Sequence, residues 1–482
     1  MRLKKIPLII FYGSVVLLLL NSCKKLSFTG FHSDKISSIS EVANIGINTG
    51  IKFFERIYLV EGPGPGHFLS LLSRLNWFKY SSILPRPAYE HADSTKILNP
   101  AVEFRAYFVA PEGRNFYPGT ESHPFQTIQY AANLVKPGDT VIVKDGIYST
   151  TGYNLFNITR SGTEEACITF KSQHKHGAKL TGLNNKGEFA IFLSKGASWI
   201  NILNFEIEGF KSCGIDANDS ELQSNQITIK GNKIHDIGRY ETISSYGLCA
   251  IYLRKGQHHW MIHGNLIYNI GRTGPDSYWY NKDHAIYSGY SDDRSACAHH
   301  ISVTCNVIWG CSGHALNMGS DNDLIANNVF VWSNENHHYG KEHPHSGPCF
   351  ITYDEGTKNI TIANNIFYQP PEENKYAISG CTTCIGWKVM NNLVKEGEMW
   401  ESSTPGRIVC VAGNNYCSSG CEKRVFDPLF VFAKRENAPE VNFSLKPGSP
   451  CINAGLNVGL TEDYLGKPIK DTPDIGAYEY QH

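Results

Sequence analysis

The chain has 482 residues and a formal net charge of −1, so it lacks the basic footprint that nucleic-acid binding needs. Its 44 glycines, 25 tyrosines and 24 phenylalanines favour an all-β protein rich in turns over a helical bundle. The length allows a large core or more than one domain.

The first residues join a basic start (Arg2, Lys4, Lys5) to an apolar run over 6–20, which is short for a membrane span. The run ends in Leu20-Asn21-Ser22-Cys23, which resembles a bacterial lipobox. The resemblance implies that residues 1–23 are a lipoprotein signal, that Cys23 is lipidated, and that Lys24 directs sorting to the outer membrane. An ordinary signal peptide or an uncleaved anchor is the plainer alternative. The expectation is an exported monomer tied to the bacterial outer membrane by its lipid. Residues 24–103 read as a tether with an irregular extension, including short amphipathic helices near 51–58 and 67–80.

The texture changes at Tyr107. A short strand leads into a Gly/Pro/Asn loop, and a helix opens at Pro124 with apolar residues at Phe125, Ile128 and Ala132. Pro137-Gly138-Asp139 makes a turn before the strand Thr140-Val-Ile-Val. This order resembles the opening of right-handed parallel β-helix proteins of the pectate-lyase-like superfamily, in which the helix caps the N-terminal end of the solenoid. The resemblance implies the same fold and raises the expectation of an enzyme acting on polysaccharide. The calcium and base signatures of those families have no clear counterpart here.

An internal repeat follows. Asparagine before an apolar pair recurs at Asn232, Asn265, Asn306, Asn328, Asn365 and Asn392. The shortest interval, 22 residues, fits one coil, and longer ones read as a coil with an inserted loop. Asparagine tolerates left-handed backbone angles and can hydrogen-bond to the next rung. A second column aligns Cys213-Gly-Ile-Asp216, Cys249-Ala-Ile-Tyr252, His284-Ala-Ile-Tyr287, His314-Ala-Leu-Asn317 and Cys349-Phe-Ile-Thr352. The Ile/Leu positions should face inward, and alternation then turns Asp216, Tyr252, Tyr287, Asn317 and Thr352 outward. The same alternation tends to place His284 and His314, with the cysteines of their column, inside. The segment Asp283–Tyr287 also resembles a rung of uncharacterised exported β-helix proteins.

Of 14 cysteines, Cys381, Cys384, Cys417 and Cys421 read either as a four-thiolate zinc site or as disulfides. Their spacing and the expected export favour disulfides, local or mutual. The segments from Phe443 to Gly455 and Asp474 to Tyr480 resemble the terminal module of secreted bacterial β-helix proteins, which implies a β-rich completion of the solenoid. The expected organisation is a β-helix over 104–398 and a completion module over 399–482.

Chemistry is expected on the outward column. Loops before the strands should overhang it, bringing Tyr278, Trp279 and Tyr280 to stack on sugar rings and His338 and Tyr339 to hydrogen-bond. β-Elimination of a uronate polymer needs a cation for the carboxylate, a base and an acid. Arg254 or Lys282 suits the first, His284 or His314 the second, Tyr287 or Tyr252 either of the last two, with Asn317 as a binding group. Hydrolysis would instead pair Asp283 with Asp216 or Asp354. A non-catalytic glycan-binding solenoid is the rival outside enzymes, and buried histidines or a stiffening tyrosine ladder are the plain structural alternatives. Asp216, Asp321 and Asp323 are weak Ca²⁺ candidates, since Asp in tight turns usually serves the turn. No other cofactor is implied.

Overall fold

The chain winds in coils of three short strands. From Thr140 it runs through Thr140–Val143, Gly146–Ser149 and Asn154–Ile158, and then repeats as Ile168–Ser172, Ala178–Thr181 and Phe189–Leu193. Like strands stack in parallel from coil to coil, and among the described residues they form two 11-stranded sheets and one nine-stranded sheet. The result is the expected parallel β-helix, with the right hand that parallel crossovers take. The sheets are called first, second and third in the order one coil visits them. This computed structural model describes residues 104–481 except 218–221, 240–246, 273–281, 290–292, 333–348, 369–375, 380–383, 396, 401–408, 418–420, 422 and 434–440.

The core is the inside of the coil. Ile215, Ile251, Ile286, Leu316 and Ile351 stand in register and are fully buried. Beside them runs the asparagine ladder. The side-chain amide of Asn265 donates to Ile229 O at 2.9 Å and to Asn306 Oδ1 at 3.0 Å, and Asn306 repeats the pattern toward Asn328. The ladder reaches one coil beyond the repeat read from sequence, to Asn415. The left-handed residue is the one before each ladder asparagine, as at Asn327, Asn364 and Asn391, not the ladder residue itself. Those preceding side chains form a second ladder, with Asn364 Nδ2 donating to Asn327 Oδ1 at 3.0 Å.

At the N-terminal end a helix, Ile128–Leu134, begins at Thr127, whose hydroxyl accepts from Tyr130 N at 3.3 Å. The expected start at Pro124 is too early, because Phe125 is bridged to Val109. Helix residues Ile128, Ala131 and Ala132 are buried. Gln129 bonds both the N–H and the carbonyl of Asn157, at 2.7 and 3.1 Å. Asn154–Ile158 is the terminal strand of the third sheet, so the helix pairs the edge that would otherwise stay open.

The coils do not stop at 398. Glu398–Trp400, Val409–Gly413 and Lys423–Arg424 still extend the three sheets. The remaining C-terminal segment does not complete the end of the solenoid; it folds back along the outside of the second sheet. There the outer column changes from Lys179, Glu206 and Lys233 to Leu266, Val307, Val329, Ile366 and Leu393. The apolar part, with Tyr268 and Trp309, packs against Phe430, Phe443, Leu445, Cys451, Ile475 and Ala477. At the corner between the first and second sheets the same segment places Glu462 against Lys230 and the Tyr464 ring 5.4 Å from Lys175 Nζ.

Cys417 and Cys421 form a disulfide, and Cys384 is also disulfide-bonded. That consumes the thiolates a zinc site would need. Cys381 and Cys23 lie outside the described residues.

Candidate active site

The outer face of the third sheet is set by strand register. Asp216, Tyr252, Tyr287, Asn317 and Thr352 occupy one column on successive coils, about 4.8 Å apart per rung. The column continues back to Phe192. Arg254, one residue after the strand Cys249–Leu253, stands at the C-terminal edge of the same face. The next two coils place Gly289 and Gly319 at that edge, and the third places Asp354. The edge beside Arg254 is therefore bare of side chains for two rungs.

Strict alternation fails on this sheet. Ala250 and Ile251, consecutive in sequence, both belong to the core, whereas Cys249 packs with Tyr252 and Tyr287 outside it. Ala190 and Ile191 do the same between Phe189 and Phe192. The signal was a column of small or apolar residues (Ala190, Gly214, Ala250, Ala285, Ala315, Phe350) beside the isoleucines, all able to turn inward. His284 is consequently on the tyrosine side, not inside. Its ring stacks on Tyr287 at 5.8 Å and on His314 at 5.4 Å, and its Nε2 lies 3.1 Å from Asn317 Nδ2. His314 donates from Nδ1 to Cys349 O at 2.9 Å, a structural bond.

Polar atoms without partners gather here. Asp216 Oδ1, Arg254 Nε, His284 Nδ1 and Asn317 Oδ1 are all buried and lack a hydrogen-bond partner among the described residues. Buried polar groups are nearly always satisfied, so four such atoms on one face make it the candidate site. Burial pushes the Asp216 carboxyl up to about 7 against the pull of Arg254. Burial, then the neighbouring His314, holds His284 far below its ordinary value, so the ring is uncharged at neutral pH. Burial raises both Tyr252 and Tyr287, whose rings lie 5.2 Å apart, and keeps both phenols protonated.

Other expected members stand elsewhere. Asp283 is fully buried, with Oδ2 2.8 Å from Arg272 Nε and Oδ1 accepting Leu248 N at 3.0 Å. It is a structural anchor and neither a catalytic acid nor half of a hydrolytic pair. Lys282 is exposed and precedes its strand, at the opposite end from Arg254, so the two cations do not address one carboxylate. Asp321 and Asp323 lie in the turn before the first-sheet strand Leu324–Ala326 and accept Lys358 N and Ile301 N, both at 2.9 Å. With Asp216 on the third sheet, the three cannot share one cation. Tyr278, Trp279, Tyr280, His338 and Tyr339 lie outside the described residues.

Two features were missed in sequence. Arg272, the Asp283 partner, looked like an ordinary loop residue. An aromatic platform also precedes the polar column: Tyr153 is 61% exposed and packs edge-on against Phe189 and Phe192 at 5.0 and 5.8 Å. Extending the column alignment one coil upstream, from Cys213-x-x-Asp216 to Phe189-x-x-Phe192, would have found it.

Fold and site together define a right-handed parallel β-helix protein with a polar and aromatic column on the outer face of its third sheet. Residues 107–312 match the family described as Pel9A-like, right handed beta helix region. Among curated proteins, the uncharacterized YwoF of Bacillus subtilis is 21% identical over 369 residues, which are 64% of this chain and 76% of that protein. Among solved structures, an alginate lyase from Paenibacillus is similar at 18% identity, covering 64% of this chain and 99% of its own, with a TM-score of 0.42. Pectate lyase Pel9A is similar at 14% identity, 78% and 96% coverage and a TM-score of 0.43. The GH136 lacto-N-biosidase of Eubacterium ramulus is similar at 12% identity, 67% and 68% coverage and a TM-score of 0.45.

Proposed function

We propose that the protein is a polysaccharide lyase that cleaves a uronate-bearing glycan by β-elimination on the outer face of the third sheet. The observation that carries this reading is the set of four orphan polar atoms, on Asp216, Arg254, His284 and Asn317, beside the Tyr252–Tyr287 pair. Arg254 pairs with the uronate carboxylate at the glycine-bared edge and so acidifies the C5 proton. Asp216, with a carboxyl raised to about 7, accepts that proton, its basicity matched to neutral pH. Electrons from the C5–H bond form the C4–C5 double bond as the C4–O bond breaks. A protonated tyrosine, Tyr287 or Tyr252, delivers a proton to the departing oxygen. Tyr153, Phe189 and Phe192 offer apolar stacking for flanking sugar rings.

A two-carboxylate hydrolase fits less well. Asp283 is committed to Arg272. Asp216 and Asp354 stand four rungs apart, roughly 19 Å, against the ~5–9.5 Å span of hydrolytic pairs.

The test is incubation with a panel of uronate polymers. The expected result is rising ultraviolet absorbance from the unsaturated product together with new reducing ends. Tyr287→Phe should lower kcat by about 10²–10⁴-fold, the usual contribution of a positioned proton donor, and Arg254→Ala should lower kcat as well as raise KM, since the same contact binds the carboxylate and acidifies C5. Reducing ends without the absorbance would establish a hydrolase, and binding without either would establish a glycan-binding solenoid. Both outcomes overturn the lyase reading. We also propose that Cys23 carries the lipid anchor at the outer membrane; Cys23→Ala should move the protein from the membrane to the soluble fraction.

A further inference from the structure

At the corner between the third and first sheets, successive coils make the same two-residue turn. It is occupied in order by Asn225-Gln226, His258-His259, His299-His300, Asp321-Asn322, Lys358-Asn359 and Ile385-Gly386, joined by the coil-to-coil bonds Gln226 N to His258 O, His259 N to His299 O and His300 N to Asp321 O. The second residue is left-handed throughout, with φ between 55° and 74° from His259 to Gly386. Asparagine and glycine hold this backbone most easily, and later coils use them. Two adjacent coils instead carry a pair of histidines each.

The four rings are ordered with respect to one another. His258 stacks on His299 at 4.9 Å and 9°, and His259 on His300 at 4.8 Å and 1°. Within each pair the two Nδ1 atoms face each other at 2.8 Å. Such a contact is held either by one proton between the rings or by one cation accepting both lone pairs. Zn–N bonds of about 2.0–2.1 Å at a tetrahedral angle put two nitrogens about 3.3 Å apart, so the pair needs to open only slightly. A third ligand comes from the neighbouring coil, because His259, His299 and His300 can each present a ring nitrogen within 4.8 Å of the other two. His259 and His300 are exposed and His299 is half-buried, so an ion has open access.

We propose that His259, His299 and His300, with His258 alongside, form a surface site for a divalent transition-metal ion of the zinc, copper or nickel type. An all-imidazole donor set selects these ions over Ca²⁺ and Mg²⁺, which require oxygen ligands. The site is distinct from the sugar-facing column of the third sheet.

The test uses the full chain, purified without a polyhistidine tag and stripped with chelator, titrated calorimetrically with Zn²⁺ and Ni²⁺. His259→Asn and His300→Asn, made together, restore the residue that later coils carry at this turn and so leave the backbone unstrained. The double variant should lose one equivalent of bound ion or weaken it by on the order of a hundredfold or more, since changes merely behind a metal's ligands already cost about 10–100-fold. Its circular dichroism and metal-free Tm should match the unmodified protein, and excess Ca²⁺ should not displace the ion. Should the double variant not fold, His299→Gln reads the same loss. No saturable Zn²⁺ or Ni²⁺ binding by the unmodified chain, or unchanged stoichiometry and affinity in the variants, overturns the assignment.

Discussion

Asp216 concentrates the conflict between stability and chemistry at a single residue. Its folded-state carboxyl sits near 7 because of burial, against an ordinary value of 3.8. The folded protein therefore holds this proton more tightly than the unfolded chain. Below about pH 4 the group is neutral in both states and nothing is lost; as pH rises from about 4 to 7, stability falls because an ionised carboxylate is being forced into the face. Asp216→Asn should then be more stable than the unmodified protein at pH 8, by on the order of 2–4 kcal/mol, with the difference vanishing near pH 4. Urea midpoints at the two pH values check this, and the same variant should lose turnover. Asp283 predicts the opposite. Asp283→Ala removes the carboxylate that Arg272 Nε and Nη2 meet inside the coil, a loss of about 3–5 kcal/mol at neutral pH by urea unfolding. The two acids look alike in sequence. Asp216 was legible as outward because it follows the isoleucine column, but the partner that silences Asp283 is 11 residues away in a loop, where no spacing rule reaches.

At the scale of the element, the ladders explain why the fold was readable. Each ladder asparagine must satisfy the coil on either side, so the residue recurs before every second-sheet strand from Lys233–Ile237 to Tyr416–Cys417, and its recurrence survives inserted loops. Asn306 illustrates the cost of losing one rung. It accepts Asn265 N at 2.9 Å and donates to Ile262 O at 2.8 Å, both buried. Asn306→Ala should destabilise by about 2–5 kcal/mol, since each stranded buried group costs about 1–3, measured as a shift in the urea midpoint. The third sheet was read less well. A period of two was assumed for its strands, whereas Ala250 and Ile251 face the core together. That break carries His284 out to Tyr287, the side on which it was a candidate base, although alternation alone tends to place it inside.

For the molecule as a whole, the coils extend past the expected limit, and the final segment is a brace along the side. Its sequence motifs announced a terminal module, but not where the module packs. The indication was the change in the outer column of the second sheet from Lys179, Glu206 and Lys233 to Leu266, Val307 and Val329. A solenoid surface needs such residues only if something covers it. Deleting residues 425–482 should uncover Trp309, Val331 and Tyr368 and produce a protein that binds hydrophobic dyes and aggregates, read by dye fluorescence and light scattering.

The brace also links coils that are remote from one another. Asn391 Nδ2 donates to Ala454 O at 2.6 Å near one end, while Glu462 pairs with Lys230 and Tyr464 meets Lys175 toward the other. Because the brace follows the coils in the chain, the coils from Leu266 onward are made before the segment that covers them, and their apolar flank stays bare until it arrives. The solenoid therefore stays unlocked along that flank until the brace has been synthesised, so closure of the fold is a late event.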